Sequence, residues 1–471
     1  MAFSAFKFLW SLLLLMMNLS DPPSSSSSSG SSSSSSNNWI PDFSTPVLPP
    51  PPFPSAVDEL AEHEDLLWEI FLLLPVKTLI RFKSVSKKWN RIISDHKFGI
   101  RHTRQTPNPN PTSLVMIRNK YIALLPLQDD HRNRLQRLRF PALNYFSPPN
   151  SDISLRTITI CNGLVLGFLS SVFSPRRNAY CVTNIATRKF LRLPPPIQIT
   201  GSQILGITLA FDPSKSPNFT VLCIGRTNSL PISPVKMEIY SSETGEWKVW
   251  EGKIINTRHA VKVFTRGVLW NNTINWLTPI GNSFYFSLAD ETMRVLPMPP
   301  ECSDGMYICR RMMFLGESRG FLHLLDLEID ISSNPPIHVY QMKENHKGWV
   351  LKNRVSLDHI ARIFPGMTGQ IPLAVVDSTG SDSDGADHLF DYFTYSVLTV
   401  IWAEDGESFD LILMIPSQII AYNTKSDTVR VILRFQDNVP MTNFKGYEVH
   451  HFNDTLAPIP TPTPTPVELE N

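Results

Sequence analysis

Cysteine is scarce in this chain. Cys161, Cys181, Cys223, Cys302 and Cys309 are scattered over 471 residues, odd in number and with no CxxC pair. That pattern argues against a zinc site, and scattered thiols suit a reducing compartment, where most serve as small buried hydrophobes. An excess of one charge is also missing. With 43 basic against 42 acidic residues, nothing draws the whole chain toward nucleic acid or an anionic membrane. The apolar run FLWSLLLLMM at residues 8–17 follows a single Lys7 and falls short of the about 20 residues that a bilayer span needs. It resembles the apolar core of a secretory signal, with a weakly basic flank and no clear cleavage box.

Signatures of catalysis are missing as well. No Gly-rich phosphate loop and no Gly-x-Ser-x-Gly elbow occurs. Cys302 and Cys309 lack the His/Asn context of a nucleophile. The histidines from His102 to His451 share no ligand spacing on a helix and read as turn or surface residues. The acidic insert at 382–391 lacks a twelve-residue calcium loop with its terminal glutamate and reads as a solvated loop. Arg132, Arg134, Arg137 and Arg139 read as a solvated strand face. The expectation is a chain with no catalytic residue, no cofactor and no metal.

Low-complexity sequence frames the rest. Residues 24–36 are nearly pure serine and a proline cluster occupies 49–54. Neither can bury apolar surface, so residues 1–54 are expected to be a disordered leader and linker. Residues 458–466 alternate Pro and Thr, which predicts an extended, mobile tail, bounded here as 456–471.

Between these segments, residues 64–98 read EDLLWEIFLLLPVKTLIRFKSVSKKWNRIISDHKF. Leu66, Leu67, Ile70, Phe71 and Leu74 form the stripe of an amphipathic helix. Pro75 ends it and suits the start of a second helix carrying Val76, Leu79, Ile80 and Phe82. Ser86 can cap a third, on which Trp89, Ile92 and Ile93 share one face. Three helices this short carry more apolar surface than they can bury against one another, so a partner or the rest of the chain must meet the excess. The basic residues Lys83, Lys87, Lys88, Arg91 and Lys97 are nearly balanced by acidic neighbours from Asp58 to Asp95, which argues against binding to DNA phosphates.

At these positions the stretch resembles the F-box, the motif through which substrate receptors of SCF-type ubiquitin ligases dock on a Skp-family adaptor. The resemblance rests on Glu64-Asp65-Leu66-Leu67, Glu69-Ile70, Leu74-Pro75-Val76-Lys77, Leu79, Arg81-Phe82, Val85, Lys87, Trp89, Ile93 and Phe98. Glu62 and His63 stand where the family usually has Leu-Pro, and Ser86 where it usually has Cys. The resemblance implies that Leu66, Leu67, Ile70, Leu74, Pro75, Val76, Leu79, Phe82, Val85, Trp89 and Ile93 are the adaptor-binding set.

From about Ser113 the texture changes to short runs rich in Val, Ile, Thr, Phe, Tyr and Trp, with turn signals at 8–12-residue intervals. That texture predicts an all-β body. A repeat of strand, polar turn and strand starts at Thr183, Tyr240, Leu288 and Tyr340, about 50 residues apart, and returns at Tyr422 after a wider gap. This is the spacing of propeller blades, and the body's length allows roughly six or seven; a large β-sandwich or two β-domains is the alternative. The segments Cys161-Asn162-Gly163-Leu164, Ala210-Phe211-Asp212-Pro213, Glu238-Ile239-Tyr240-Ser241 and Gly267-Val268-Leu269-Trp270 resemble the F-box-associated, kelch-like region of plant F-box proteins.

The expected fold is therefore α+β multidomain. A small three-helix F-box at 55–105 precedes an all-β, propeller-like domain at 106–455. The resemblance implies a non-catalytic substrate receptor: a Skp-family adaptor and, through it, a cullin scaffold on one side, an unknown target protein on the other, and neither nucleic acid nor membrane as partner. The expected location is cytoplasm and nucleus. A secreted β-propeller enzyme or lectin is the alternative, favoured only by the apolar leader.

Overall fold

The computed structural model describes residues 63–105, 110–118, 121–127, 136–137, 153–171, 179–199, 204–226, 235–252, 254, 264, 266–278, 283–299, 309–329, 335–372, 389–435 and 448–460. Two compact units divide between Leu73 and Leu74. In the first, helix α1 (Glu64–Leu72) buries Leu67, Phe71 and Leu72. Glu64 and Asp65 occupy its first turn, where negative charge suits the helix dipole.

The second unit opens with three helices. Pro75, extended at φ −61° and ψ 147°, is the N-cap of α2 (Val76–Phe82). Ser86 caps α3 (Lys87–Ser94), its Oγ accepting the Trp89 N–H at 3.1 Å. Ser86→Ala should therefore lower unfolding stability by about 1 kcal/mol, read by denaturant titration; an unchanged midpoint would mean that the cap is idle. Asp95 Oδ1 accepts the N–H groups of Lys97 (2.8 Å) and Phe98 (3.1 Å), starting a further helix, α4 (His96–Gln105). The sequence predicts three helices and misses this one. Its apolar stripe is thin, with only Phe98, Gly99 and His102 buried, and glycine is a poor helix former.

Six four-stranded antiparallel sheets follow. Sheet 1 holds β1 (Ser113–Arg118), β2 (Tyr121–Pro126) and β3 (Gln136–Arg137). Sheet 2 is β4 (Ile153–Cys161), β5 (Leu164–Ser171), β6 (Ala179–Asn184) and β7 (Lys189–Arg192). Sheet 3 is β8 (Ile204–Ala210), β9 (Thr220–Arg226), β10 (Val235–Ser241) and β11 (Glu246–Trp250). Sheet 4 is β12 (Gly267–Trp270), β13 (Thr273–Trp276), β14 (Ser283–Ser287) and β15 (Thr292–Leu296). Sheet 5 is β16 (Cys309–Ser318), β17 (Phe321–Ile329), β18 (Ile337–Met342) and β19 (Trp349–Val355). A short helix α5 (Asp358–Ile363) and a ribbon of β20 (Thr368–Pro372) and β21 (Leu389–Phe393) lead to sheet 6. That sheet is β22 (Ser396–Trp402), β23 (Phe409–Ile415), β24 (Gln418–Asn423) and β25 (Thr428–Arg434). The last strand, β26 (Glu448–Phe452), returns to pair with β1 and completes sheet 1.

The first strands neighbour one another in sequence, β4 with β8, β8 with β12, β12 with β16 and β16 with β22, and β26 meets β4. This is a six-bladed propeller closed by its carboxy-terminal strand, and radial repetition leaves each blade only short edges. An apolar cluster fills each seam between consecutive blades, from blades 1 and 2 round to blades 6 and 1. The expected propeller is what forms, with six blades.

The repeat seen in the sequence is the turn between third and fourth strands. Four-residue turns at 185–188, 242–245, 288–291 and 424–427 end on left-handed Arg188, Gly245, Glu291 and Asp427. Two residues on, Trp247 donates its indole N–H to the Pro194 carbonyl of the preceding blade at 2.8 Å. Trp349 does the same to Pro297 at 2.6 Å. In blades 2, 4 and 5 the first-to-second-strand turns are two-residue hairpins with both residues left-handed, Asn162-Gly163, Asn271-Asn272 and Arg319-Gly320, the geometry that matches strand twist.

Candidate protein-docking surfaces

Of the eleven side chains expected to meet an adaptor, Leu67, Leu74, Val76, Leu79, Phe82 and Ile93 are buried, Leu79 completely. Ile70 and Trp89 are half-buried, and Leu66, Pro75 and Val85 are exposed. The set therefore splits into residues that hold the helices and residues that a partner can touch. Leu73, outside the expected set, is the most exposed large hydrophobic among the described residues at 76%. It follows the last residue of α1 and falls off the apolar stripe, between Phe71 and Leu74, from which the set was read. Phe82 and Trp89 pack with ring centroids 5.0 Å apart, joining α2 to α3.

Helices α2 to α4 do not hang from a flexible linker. Beyond β26 the chain continues as a strap, residues 453–460. Thr112 N–H donates to Asn453 Oδ1 at 2.8 Å. The fully buried Asn184 amide donates to the carbonyls of Thr455 (3.0 Å) and Ala457 (2.7 Å). Leu456, Ala457 and Ile459 are buried, although composition places residues from 456 onward in a mobile tail; apolar contact at those three positions overrides the flanking prolines. Helix α4 rests on this strap. A Cβ on Gly99 would stand 2.6 Å from the Leu456 carbonyl oxygen, so glycine permits the close approach. Thr103 and Thr455 hydroxyls lie 3.3 Å apart, and Arg104 Nε donates to the Pro213 carbonyl at 3.3 Å. The Lys77–Asp454 ion pair, at 3.7 Å with the lysine exposed, adds little. Within the helices, His102 Nε2 lies 2.8 Å from the Leu74 carbonyl. Burial pushes His102 below its ordinary pKa, and that hydrogen bond opposes the shift.

At the propeller end formed by the first-to-second and third-to-fourth turns, a cleft of about 910 Å³ opens among blades 2 to 5. Pro213, the acceptor of Arg104, lies in the turn that supplies Asp212, Ser214 and Lys215 to its lining.

Several residues read as surface are interior. His323 and His338 are buried on β17 and β18. His323 stacks on Trp402 at 4.9 Å across the seam of blades 5 and 6, and burial lowers its pKa to about 3. Desolvation lowers His346 and His451 to about 4; His346 stacks on Tyr285 at 3.8 Å, and His451 meets Thr399 Oγ1. A depressed folded-state pKa means that the unfolded chain takes up protons first as pH falls. The stability contribution is complete above about 6.5, the unfolded value, and is lost progressively as pH falls toward the folded pKa. Denaturant titrations between pH 7 and pH 4 should show stability falling, with His323 alone adding a slope of roughly 1 kcal/mol per pH unit. A flat profile would mean that these rings are already charged in the fold. Burial pushes the Cys161 and Cys181 thiols up to about 12 and Cys223 upward, as expected of buried hydrophobes. The leader, Cys302, Arg132, Arg134, Arg139 and most of the acidic insert lie outside the described residues.

Comparison with known proteins agrees with this architecture. Residues 63–101 match the F-box domain. Residues 129–375 match the family described as F-box protein At3g26010-like, beta-propeller. The chain is similar to F-box protein At5g07610 of Arabidopsis thaliana, 29% identical over 402 residues, covering 82% of this chain and 88% of that one. It is also similar to F-box protein At5g49610 of the same plant, 25% identical over 317 residues, 64% and 81% of the two chains. An F-box joined to a six-bladed propeller, with F-box protein relatives in Arabidopsis thaliana, places the chain among plant F-box proteins. The chain belongs to the At3g26010-like β-propeller family of F-box proteins.

Proposed function

We propose that this protein is the substrate-recognition subunit of an SCF-type ubiquitin ligase. The helices dock on a Skp-family adaptor and, through it, on a cullin scaffold; the propeller holds a target protein. The chain itself makes and breaks no bond. Its contribution is proximity, raising the effective concentration of a target lysine at the ubiquitin-charged conjugating enzyme. One observation carries this reading: the strap seats α4, and with it the F-box helices α2 and α3, on the propeller, so a docking element and a rigid binding scaffold move together.

In the docking role we place exposed Leu66 on α1, together with Pro75 and Val85. Buried Leu67 belongs to the packing of the first unit and buried Leu74, Val76, Leu79, Phe82 and Ile93 to that of the second, and half-buried Ile70 and Trp89 serve both roles. No described helix is long and apolar enough to cross a membrane, and we assign the protein to cytoplasm and nucleus. The test is affinity purification of the tagged full chain from its own tissue, with and without proteasome inhibition. A Skp-family adaptor and a cullin should co-purify, and the target should accumulate under inhibition. Secretion of the tag, or a size shift on removing N-glycans, would contradict the assignment.

A further inference from the structure

The 910 Å³ cleft has a chemistry of its own. Lys343, Lys347 and Lys352 line it, all exposed and none with a carboxylate partner among the described residues. Lys215, also in the lining, is engaged by Asp212 at 3.2 Å. The carboxylates there are mostly spoken for. Asp212 Oδ1 also accepts from Ser214. Glu317 accepts the Gly320 N–H at 2.6 Å, and burial together with nearby Asp212 raises its pKa toward the neutral acid. Glu344 is the remaining exposed acid, so free ammonium groups exceed free carboxylates.

Of the apolar residues in this lining two are exposed, Phe321 at 47% and Val350 at 38%. The side-chain amides of Asn271, Asn272 and Gln341 also line it and make no hydrogen bond among the described residues. Amides that can donate and accept suit the N–H and C=O groups of an extended backbone. Free lysines suit carboxylates, and the exposed phenyl ring suits an apolar side chain. A polyphosphate backbone fits less well, because Asp212 and Glu344 would repel charge repeated at every step.

We infer that this cleft is the target-binding seat, and that it takes an extended peptide segment of the target in which carboxylates flank an apolar side chain. This rests on the receptor function proposed above. It also places the target beside Pro213, against which the end of α4 is fixed, so the bound segment and the docking helices share one rigid frame.

The test is to pan a random peptide display library against the immobilised full chain and then titrate the recovered peptides as labelled probes. Recovered sequences should combine acidic and apolar residues. Their affinity should fall at least about tenfold in Lys347→Glu/Lys352→Glu and in Phe321→Ser, and should weaken as salt rises. All three positions are exposed, so melting temperature and adaptor capture should be unchanged in both variants. Peptides without acidic bias, equal binding by the variants, or no recovered peptide would overturn the inference. So would displacement of the peptides by a random single-stranded oligonucleotide of higher affinity. Failure of the unaltered chain to capture an adaptor would count instead against the ligase function.

Discussion

Val85→Asp should leave the protein folded and cut its affinity for a Skp-family adaptor by on the order of 2 kcal/mol or more, the loss expected when an interface anchor is replaced by a charge. Val85 is 54% exposed, so the carboxylate stays in water in the free protein and is desolvated only on docking. Leu66→Asp, at 45% exposure on α1, should behave alike. Leu79→Asp should act differently. Leu79 is fully buried on α2, and a carboxylate there has no solvent; the helices should lose their packing and the protein its solubility. By contrast, Lys87→Glu, on an exposed charge, should cost less than about 1 kcal/mol. Adaptor titrations paired with thermal melts separate the cases. If Val85→Asp bound normally, the exposed set would not be the contact.

Ending the chain after Phe452 should have the second large effect. The truncation keeps β26, so the ring still closes, but it removes the strap. Leu456 alone, 4% exposed, should cost about 2–5 kcal/mol when cut to alanine. Loss of the whole strap also strands the buried Asn184 amide without its two carbonyl acceptors, a further cost of about 1–3 kcal/mol. Beyond a lower melting temperature, helix α4 loses the surface against which Gly99 packs. Energy transfer between dyes on α4 and on a blade should show one narrow distance in the full chain and a broad distribution after truncation. A narrow distribution in both would mean that the strap does not hold the helices. Truncation with the narrow distance lost and adaptor binding kept would assign the strap to orientation alone.

Much of this architecture is legible in the chain because it rests on local rules. The turn residues at Asn162-Gly163 and Asn271-Asn272 specify hairpins, and the repeated turn before Trp247 and Val429 specifies the blade. Ser86 announces a helix start through its own side chain. What stayed hidden depends on distant partners. Strand β26 reads EVHHF near the end of a chain already rich in strands, and nothing local says that it pairs with β1 some 330 residues earlier. Burial of Leu456 and Ile459 among prolines has the same cause. Glu238 looks like an ordinary charge on a strand, yet it is fully buried and accepts the N–H groups of Ile197, Gln198 and Ile199 at 2.5–2.8 Å. Within the docking set, helical periodicity marks apolar positions without saying which face inward: Leu66 and Leu79 both stand in the helical pattern, one 45% exposed and the other fully buried.

The most direct test of the account is titration of the purified full chain with a purified Skp-family adaptor, followed by mass measurement of the mixture. The account predicts saturable formation of a one-to-one complex, weakened by Val85→Asp and indifferent to Lys347→Glu/Lys352→Glu. A full chain that stays alone in the presence of every adaptor offered, while its melting curve shows it folded, would contradict it.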